Sequence, residues 1–194
     1  MNRRSLLAVA AVAWLALPVA ASADPGKPTR ASLYDLEGKW TDQDGASVAL
    51  SSFAGKLVVL AMGYTTCKDI CPALVADMMW IEKHLPPDAA ARVRFVFFSF
   101  DSEADTPERL SLYADGHGLD RAHWSLLNGD DDAVRELAAA LDVPFRPNDR
   151  NGFEHAAVIS LLDAEGEIVF QQRGVQASSD ELLARLGRLL SASD

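Results

Sequence analysis

The sequence predicts an α/β domain with a mixed central sheet flanked by helices and an N-terminal β-hairpin. Leu57 to Met62 and Val93 to Phe100 are unbroken apolar runs of strand length, the pattern of strands covered on both faces. Each run is followed by a segment whose apolar residues recur at helical spacing. The chain closes with two short apolar runs joined by a turn and then a final helical segment, an order that places helices on both faces of a mixed sheet. With 194 residues, 49% of them hydrophobic, it has material for one core and too little length for two ordinary domains.

The individual elements follow in order. Trp40 and Thr41, the turn dipeptide Asp44-Gly45 and the stretch Ala46 to Leu50 read as the hairpin. The first buried strand comes next. From Pro72, the residues Leu74, Val75, Met78, Met79, Ile81 and Leu85 keep helical spacing until Pro86-Pro87 stops it, and Pro72 suits the first helical position. After the second buried strand, Thr106-Pro107-Glu108 opens a helix to about His117. Trp124 to Leu127 forms a short strand, and a helix runs from Asp131 to Leu141, with Asp130 to Asp132 complementing its dipole. Ala157 to Leu162 and Ile168 to Gln171 form a second hairpin around Asp163-Ala164-Glu165-Gly166, and Ser179 to Leu190 is the last helix. Pro144, Pro147 and Gly152 mark the intervening stretch as loop.

The N-terminus reads as an export signal. Arg3 and Arg4 precede an apolar run from Leu6 to Ala21, and Ala21-Ser22-Ala23 supplies small residues for cleavage after Ala23. Residues 1–23 are therefore expected to be a signal peptide, with retention as an N-terminal anchor the rival reading. The Arg-Arg pair also resembles a twin-arginine signal. Residues 24–32, with two prolines and a glycine, read as a linker, and residues 33–194 as the domain. The expected location is extracytoplasmic, in the periplasm. The formal charge is −10, and loss of the signal leaves 16 basic side chains against 28 acidic ones. Such a surface repels phosphate backbones and anionic headgroups, which argues against nucleic acid, and against a membrane unless the N-terminal segment is retained.

The chain holds two cysteines, Cys67 and Cys71, both between a buried strand and a helix. A disulfide is the ordinary reading for an exported chain. A bridge across so short a loop constrains the unfolded chain little, so reactivity explains the pair better. A helix N-terminus favours thiolate, the form that attacks disulfides and binds soft metals such as Cu(I) and zinc. Two sulfurs call for a third ligand, and the four histidines are the candidates. His84, His117 and His123 read as surface, capping or packing residues. His155 stands just ahead of an apolar strand. Met78 and Met79 read as core rather than as extra soft ligands, and Trp40, Trp80 and Trp124 as core or rim packing.

Together these motifs resemble the Sco/SenC family of thioredoxin-fold copper proteins associated with the dinuclear copper centre of cytochrome c oxidase. Tyr64, Thr65, Cys67, Cys71 and Pro72 match its cysteine motif. Ser99, Asp101, Asp105, Thr106 and Pro107 match a strand-end motif, and His155, Asp163 and Gly166 match a histidine-led strand and turn. The resemblance implies a thioredoxin-like fold, copper as the metal, and Cys67, Cys71 and His155 as its ligands. It implies supporting places for Asp69, inside the cysteine loop, and for Asp101, as a partner that orients the imidazole; a helix N-cap and a loop turn are the alternatives. Lys68 and Ser102 depart from prolines common in the family.

Three functions are carried forward. A metallochaperone would pass copper to an oxidase copper-binding subunit or another periplasmic copper protein. A thiol-disulfide oxidoreductase would use Cys67 and Cys71 as a redox pair on oxidase or other cysteines. Against a general oxidoreductase, the spacer has three residues and no proline stands ahead of the strand at Glu154-His155-Ala156. A peroxiredoxin-like peroxidase is disfavoured, because no proline precedes Cys67 at the required place and Tyr64 takes the threonine position.

Overall fold

The structure is a computed structural model that describes residues 32–87, 89–149 and 152–192. The expected signal or anchor, its cleavage point and residues 24–31 lie outside the described residues. Ser32 does not: its hydroxyl accepts the Tyr34 N–H and donates to the Glu165 carbonyl, which ties the last residue of the expected linker to the domain.

A seven-stranded sheet runs in the order β2-β1-β5-β4-β3-β8-β9. Its members are β1 (Trp40–Asp42), β2 (Ser47–Val48), β3 (Leu57–Gly63), β4 (Val93–Ser99), β5 (Trp124–Gly129), β8 (Val158–Leu162) and β9 (Ile168–Arg173). Strands β3, β4 and β5 are parallel, and the flanking pairs are antiparallel. The helices are α1 (Ile70–Lys83), α2 (Pro107–His117), α3 (Asp131–Ala140) and α4 (Asp180–Ala192). A separate two-stranded ribbon joins β6 (Phe145–Pro147) to β7 (Phe153–His155).

Side-chain alternation divides the core. Val58, Leu60 and Met62 of β3 face α3 and its Val134 and Leu137, whereas Leu57, Val59 and Ala61 face α1, α2 and α4 through Leu74, Met78, Leu110 and Leu186. Both faces of β3 are thus covered, which is why its sequence is continuously apolar. Burying one such Leu or Met stabilises the fold by about 1.5–3 kcal/mol. Met78 is fully buried among these residues, and Met79 packs against them. Trp40 and Trp124 are core residues, but Trp80 is 41% exposed and stacks on His84.

Local chemistry sets the element ends. Asp42 Oδ1 accepts the N–H groups of Asp44 and Ala46, closing the β1–β2 turn where Gly45 has φ +80°. The expected strand through Leu50 is shorter than the sequence suggests, because Leu50–Phe53 coil into a 3-10 turn that buries Leu50 and Phe53. Asp130 caps α3 by accepting the Ala133 N–H. Thr106 caps α2, with Pro107 in its first turn.

Helix α1 begins at Ile70, two residues before the expected start, so Pro72 sits inside the first turn rather than opening it. The first turn tolerates this, because its N–H groups have no intrahelical acceptor in any case. The ribbon β6–β7 was expected to be loop. Its strands have three residues each, too short for periodicity to register, and Pro147 can occupy an edge position because it has no N–H to give. His155 consequently closes β7 instead of leading directly into β8. None of the helices among the described residues is long and apolar enough to cross a membrane.

Candidate metal centre

Strand β3 ends at Gly63, and the chain turns so that the Cys67 N–H donates to the Tyr64 carbonyl at 3.3 Å. Three residues after Cys67, α1 begins and places Cys71 in its first turn. The Cys71 N–H points at Cys67 Sγ, 3.4 Å away. Asp69 occupies the N-cap position but its side chain makes no capping hydrogen bond and is exposed, so the Cys67 sulfur stands where a cap oxygen usually stands. Gly63 permits this packing. A Cβ there would lie 2.7 Å from the Phe97 ring and 3.0 Å from Cys71 Sγ.

The third group arrives from the ribbon. Ligand atoms of Cys67, Cys71 and His155 all lie within 4.8 Å of one another, and both cysteines are free thiols. His155 Nε2 lies 3.3 Å from Cys71 Sγ, while Nδ1 lies 3.0 Å from the Ala156 carbonyl oxygen. A carbonyl can only accept, so Nδ1 carries the proton and Nε2 presents its lone pair to the thiols. A backbone carbonyl holding the far nitrogen is the usual support of a metal-binding imidazole.

Both ring nitrogens are therefore engaged without Asp101. Its Oδ1 accepts the Ala104 N–H and its own N–H donates to Ser99 Oγ, so Asp101 is a turn residue here rather than the partner that orients the imidazole. His84 Nδ1 faces the Trp80 carbonyl, His117 Nδ1 faces the Tyr113 carbonyl, and His123 lies 3.5 Å from Glu82.

The two thiols differ. Burial raises the Cys67 pKa, but hydrogen bonds from the Cys71 thiol and from the backbone N–H groups of Cys71, Asp69 and Ile70 outweigh it, leaving Cys67 below its ordinary value. Cys71, with no exposed surface, is pushed well above its ordinary value by burial and then by its hydrogen bond with Cys67. Burial lowers the His155 pKa, with a smaller opposing effect from the Ala156 carbonyl, which favours neutral imidazole.

Aromatic rings enclose the centre. Phe100 lies 4.9 Å from the His155 ring and stacks on Phe145 at 4.6 Å; Tyr64 meets Phe153 edge-on at 5.3 Å. The Tyr64 hydroxyl also donates to the Phe153 carbonyl, linking the cysteine turn to the ribbon. A hollow of about 280 Å³ lined by Pro144, Phe145, Glu154 and His155 opens the histidine side to solvent.

Asp105 is the residue that sequence reasoning underrated. It is fully buried, and its carboxylate accepts hydrogen bonds from Thr65 N–H, Thr65 Oγ and Ser99 Oγ. A signal existed in Asp105-Thr106-Pro107: two capping-type residues stand before one helix, Thr106 takes the cap, and Asp105 is left for another task.

Two thiols and one imidazole lone pair form a soft, three-donor set that suits Cu(I) and leaves the usual tetrahedral zinc shell incomplete. The SCO1/SenC family profile matches residues 27–191.

The chain belongs to the SCO1/SenC family.

Curated relatives of this family member include a SCO1 protein homolog of Bacillus subtilis, 28% identical over 147 residues, covering 74% of this chain and 76% of the relative. A Stutzerimonas stutzeri protein named as copper-binding is 27% identical over 131 residues, covering 66% of this chain and 63% of that protein. Among solved structures, Bradyrhizobium japonicum ScoI with copper bound is 28% identical with a TM-score of 0.66, covering 78% of this chain and 96% of that one. Apo Sco1 of Thermus thermophilus is 29% identical with a TM-score of 0.64, covering 83% and 95%. The fold is thioredoxin-like, a central mixed sheet with helices on both faces.

Proposed function

We propose that this chain is an extracytoplasmic copper metallochaperone that delivers copper to the dinuclear centre of cytochrome c oxidase. The observation that carries the reading is the convergence of two free thiols and a neutral, inward-facing Nε2 within 4.8 Å. Family membership and the copper-bound relative support copper over other soft ions. The asymmetry of the thiols supports transfer. Cys67, with some exposed surface and a lowered pKa, is the ligand that an incoming thiolate can replace first, while fully buried Cys71 with His155 retains the ion until the last exchange. The recipient is an oxidase copper-binding subunit or another periplasmic copper protein.

The experiment is copper titration of the reduced domain, wild type against His155→Ala, followed by transfer to an apo copper-site domain. His155→Ala should weaken binding and change the copper spectrum; unchanged affinity and spectrum would remove His155 from the ligand set. Failure of the reduced wild type to bind copper would overturn the whole reading.

The thiol asymmetry also favours a second reading, thiol-disulfide exchange on oxidase or other cysteines. In this reading Cys67 attacks a partner disulfide and Cys71 then displaces it, so that the partner is reduced and the pair oxidised. Efficient turnover of a model disulfide, combined with negligible copper affinity, would select this reading over the first.

A further inference from the structure

We infer that Asp105 is the positioning residue of the metal centre, clamping Thr65 and thereby holding the turn that aims Cys67 at Cys71 and His155; the inference rests on reading those three residues as the ligands. Thr65 is the second residue of the Tyr64–Cys67 turn, whose closing hydrogen bond runs from the Cys67 N–H to the Tyr64 carbonyl. Asp105 grips Thr65 twice, at its N–H (2.9 Å) and at its hydroxyl. A turn held at only one point can rotate about that bond, whereas two bonds to one carboxylate fix its orientation as well as its position.

The clamp is itself anchored. Ser99, at the end of β4, donates to the same carboxylate, and the Asp105 N–H donates to the Asp101 carbonyl. The Asp105 carbonyl accepts from Asn128 Nδ2 at 2.8 Å, tying the segment to β5. The cysteine turn is thus referenced to the rigid sheet through one buried side chain. No arginine or lysine contacts this carboxylate among the described residues; the hydrogen bonds of Thr65 and Ser99 hold it in place. A buried carboxylate is costly to maintain without a cation, and a neutral side chain would serve if filling space were the only task.

On the opposite side of the same turn, the Tyr64 hydroxyl reaches the ribbon that carries His155. Adjacent residues therefore carry the two registrations, Thr65 to the sheet and Tyr64 to the histidine strand. Loss of the Asp105 clamp leaves the turn held by the Tyr64 hydroxyl and by the weak Cys71 N–H bond to Cys67 Sγ, neither of which references it to the sheet, and Cys67 is then displaced relative to both partners.

The test compares Asp105→Ala, Asp105→Asn, Thr65→Val and Ser99→Ala in two readouts, Cu(I) affinity by competition with a chromogenic chelator and amide exchange of the metal-free protein. Groups that orient metal ligands typically alter affinity by about 10–100-fold when removed, and Asp105→Ala should fall in that range. Asp105→Asn should restore most of the affinity, since its carbonyl can still accept the Thr65 N–H while the hydroxyls reorient. Thr65→Val should weaken binding less than Asp105→Ala and be non-additive with it, whereas Ser99→Ala should weaken binding less than Thr65→Val. In the metal-free protein, Thr65 and Cys67 amides should exchange about tenfold faster in Asp105→Ala.

Wild-type affinity for copper in these four variants, or equal exchange at Thr65 and Cys67, overturns the clamp. If Asp105→Ala does not fold, Thr65→Val decides: wild-type values in both readouts overturn the proposal. If the wild type binds no copper, the ligand reading fails, and amide exchange still judges the clamp.

Discussion

Replacing Gly63 with alanine adds one methyl group at the point where the sheet, the aromatic core and the thiol pair meet. That methyl would lie 2.7 and 2.8 Å from two atoms of the Phe97 ring and 3.0 Å from Cys71 Sγ. Phe97 and Cys71 both have no exposed surface, so neither can swing into solvent. Overpacking of a dense core costs about 1–3 kcal/mol. For a domain of this size, 1 kcal/mol corresponds to about 2–4 °C, so the melting temperature should fall by about 2–12 °C. Because Cys71 Sγ is one of the displaced atoms, Cu(I) affinity should fall by about tenfold or more. The assays are calorimetry of the metal-free protein and chelator competition. Phe97→Leu in the Gly63→Ala background should recover part of both losses, because it removes the ring that the methyl strikes. A melting temperature within 1 °C of wild type, with unchanged copper affinity, would refute the packing argument.

Gly116→Ala is the opposite case: an exposed glycine within α2 with nothing within 4 Å of the added methyl should stabilise the fold by about 0.5–1 kcal/mol, read from denaturant melts. Asp130→Ala removes the cap that accepts the Ala133 N–H at 2.9 Å and should cost about 1 kcal/mol in the same assay. The lowered pKa of His155 sets a pH dependence with a definite sign. The unfolded chain binds the proton more readily than the fold does, so stability falls as pH drops from 6.5 toward the lower folded value and is unaffected by this group above that window. His155→Asn should flatten that part of a pH series of melts. The part of the pH dependence of copper affinity that comes from His155 should appear as pH falls through the lower folded value, because the proton and the metal compete for Nε2 in the folded protein.

The strands that form the sheet centre were legible because each is short, apolar and bounded by turn residues. Helices α1 to α4 were legible from spacing, with ends shifted by one or two residues; at the start of α1 the shift is tolerated because first-turn N–H groups have no intrahelical acceptor. The ribbon β6–β7 was not legible. Two three-residue strands rich in proline and charge carry no periodic signal, and they exist because Phe145 and Phe153 find Phe100 and Tyr64 to pack against. The thiol pair was visible as chemistry from its place between strand and helix. Asp69, which the resemblance gives a supporting place with a helix N-cap as the alternative, takes the N-cap position of α1, but its side chain does no capping, and the Cys67 sulfur faces the Cys71 N–H instead.

By itself the sequence determined the layered α/β architecture, the strand-to-helix junction that carries Cys67 and Cys71, and, by resemblance, the family. These are local properties: period, turn chemistry and motif order are all written in neighbouring residues. Only the tertiary structure decided that His155, 84 positions after Cys71, brings Nε2 to 3.3 Å from its sulfur, that the Ala156 carbonyl rather than Asp101 orients that ring, and that Asp105 is buried against Thr65. These outcomes depend on where a ribbon and a helix start are laid against the sheet. That placement follows from packing among residues distant in sequence, which no local pattern records.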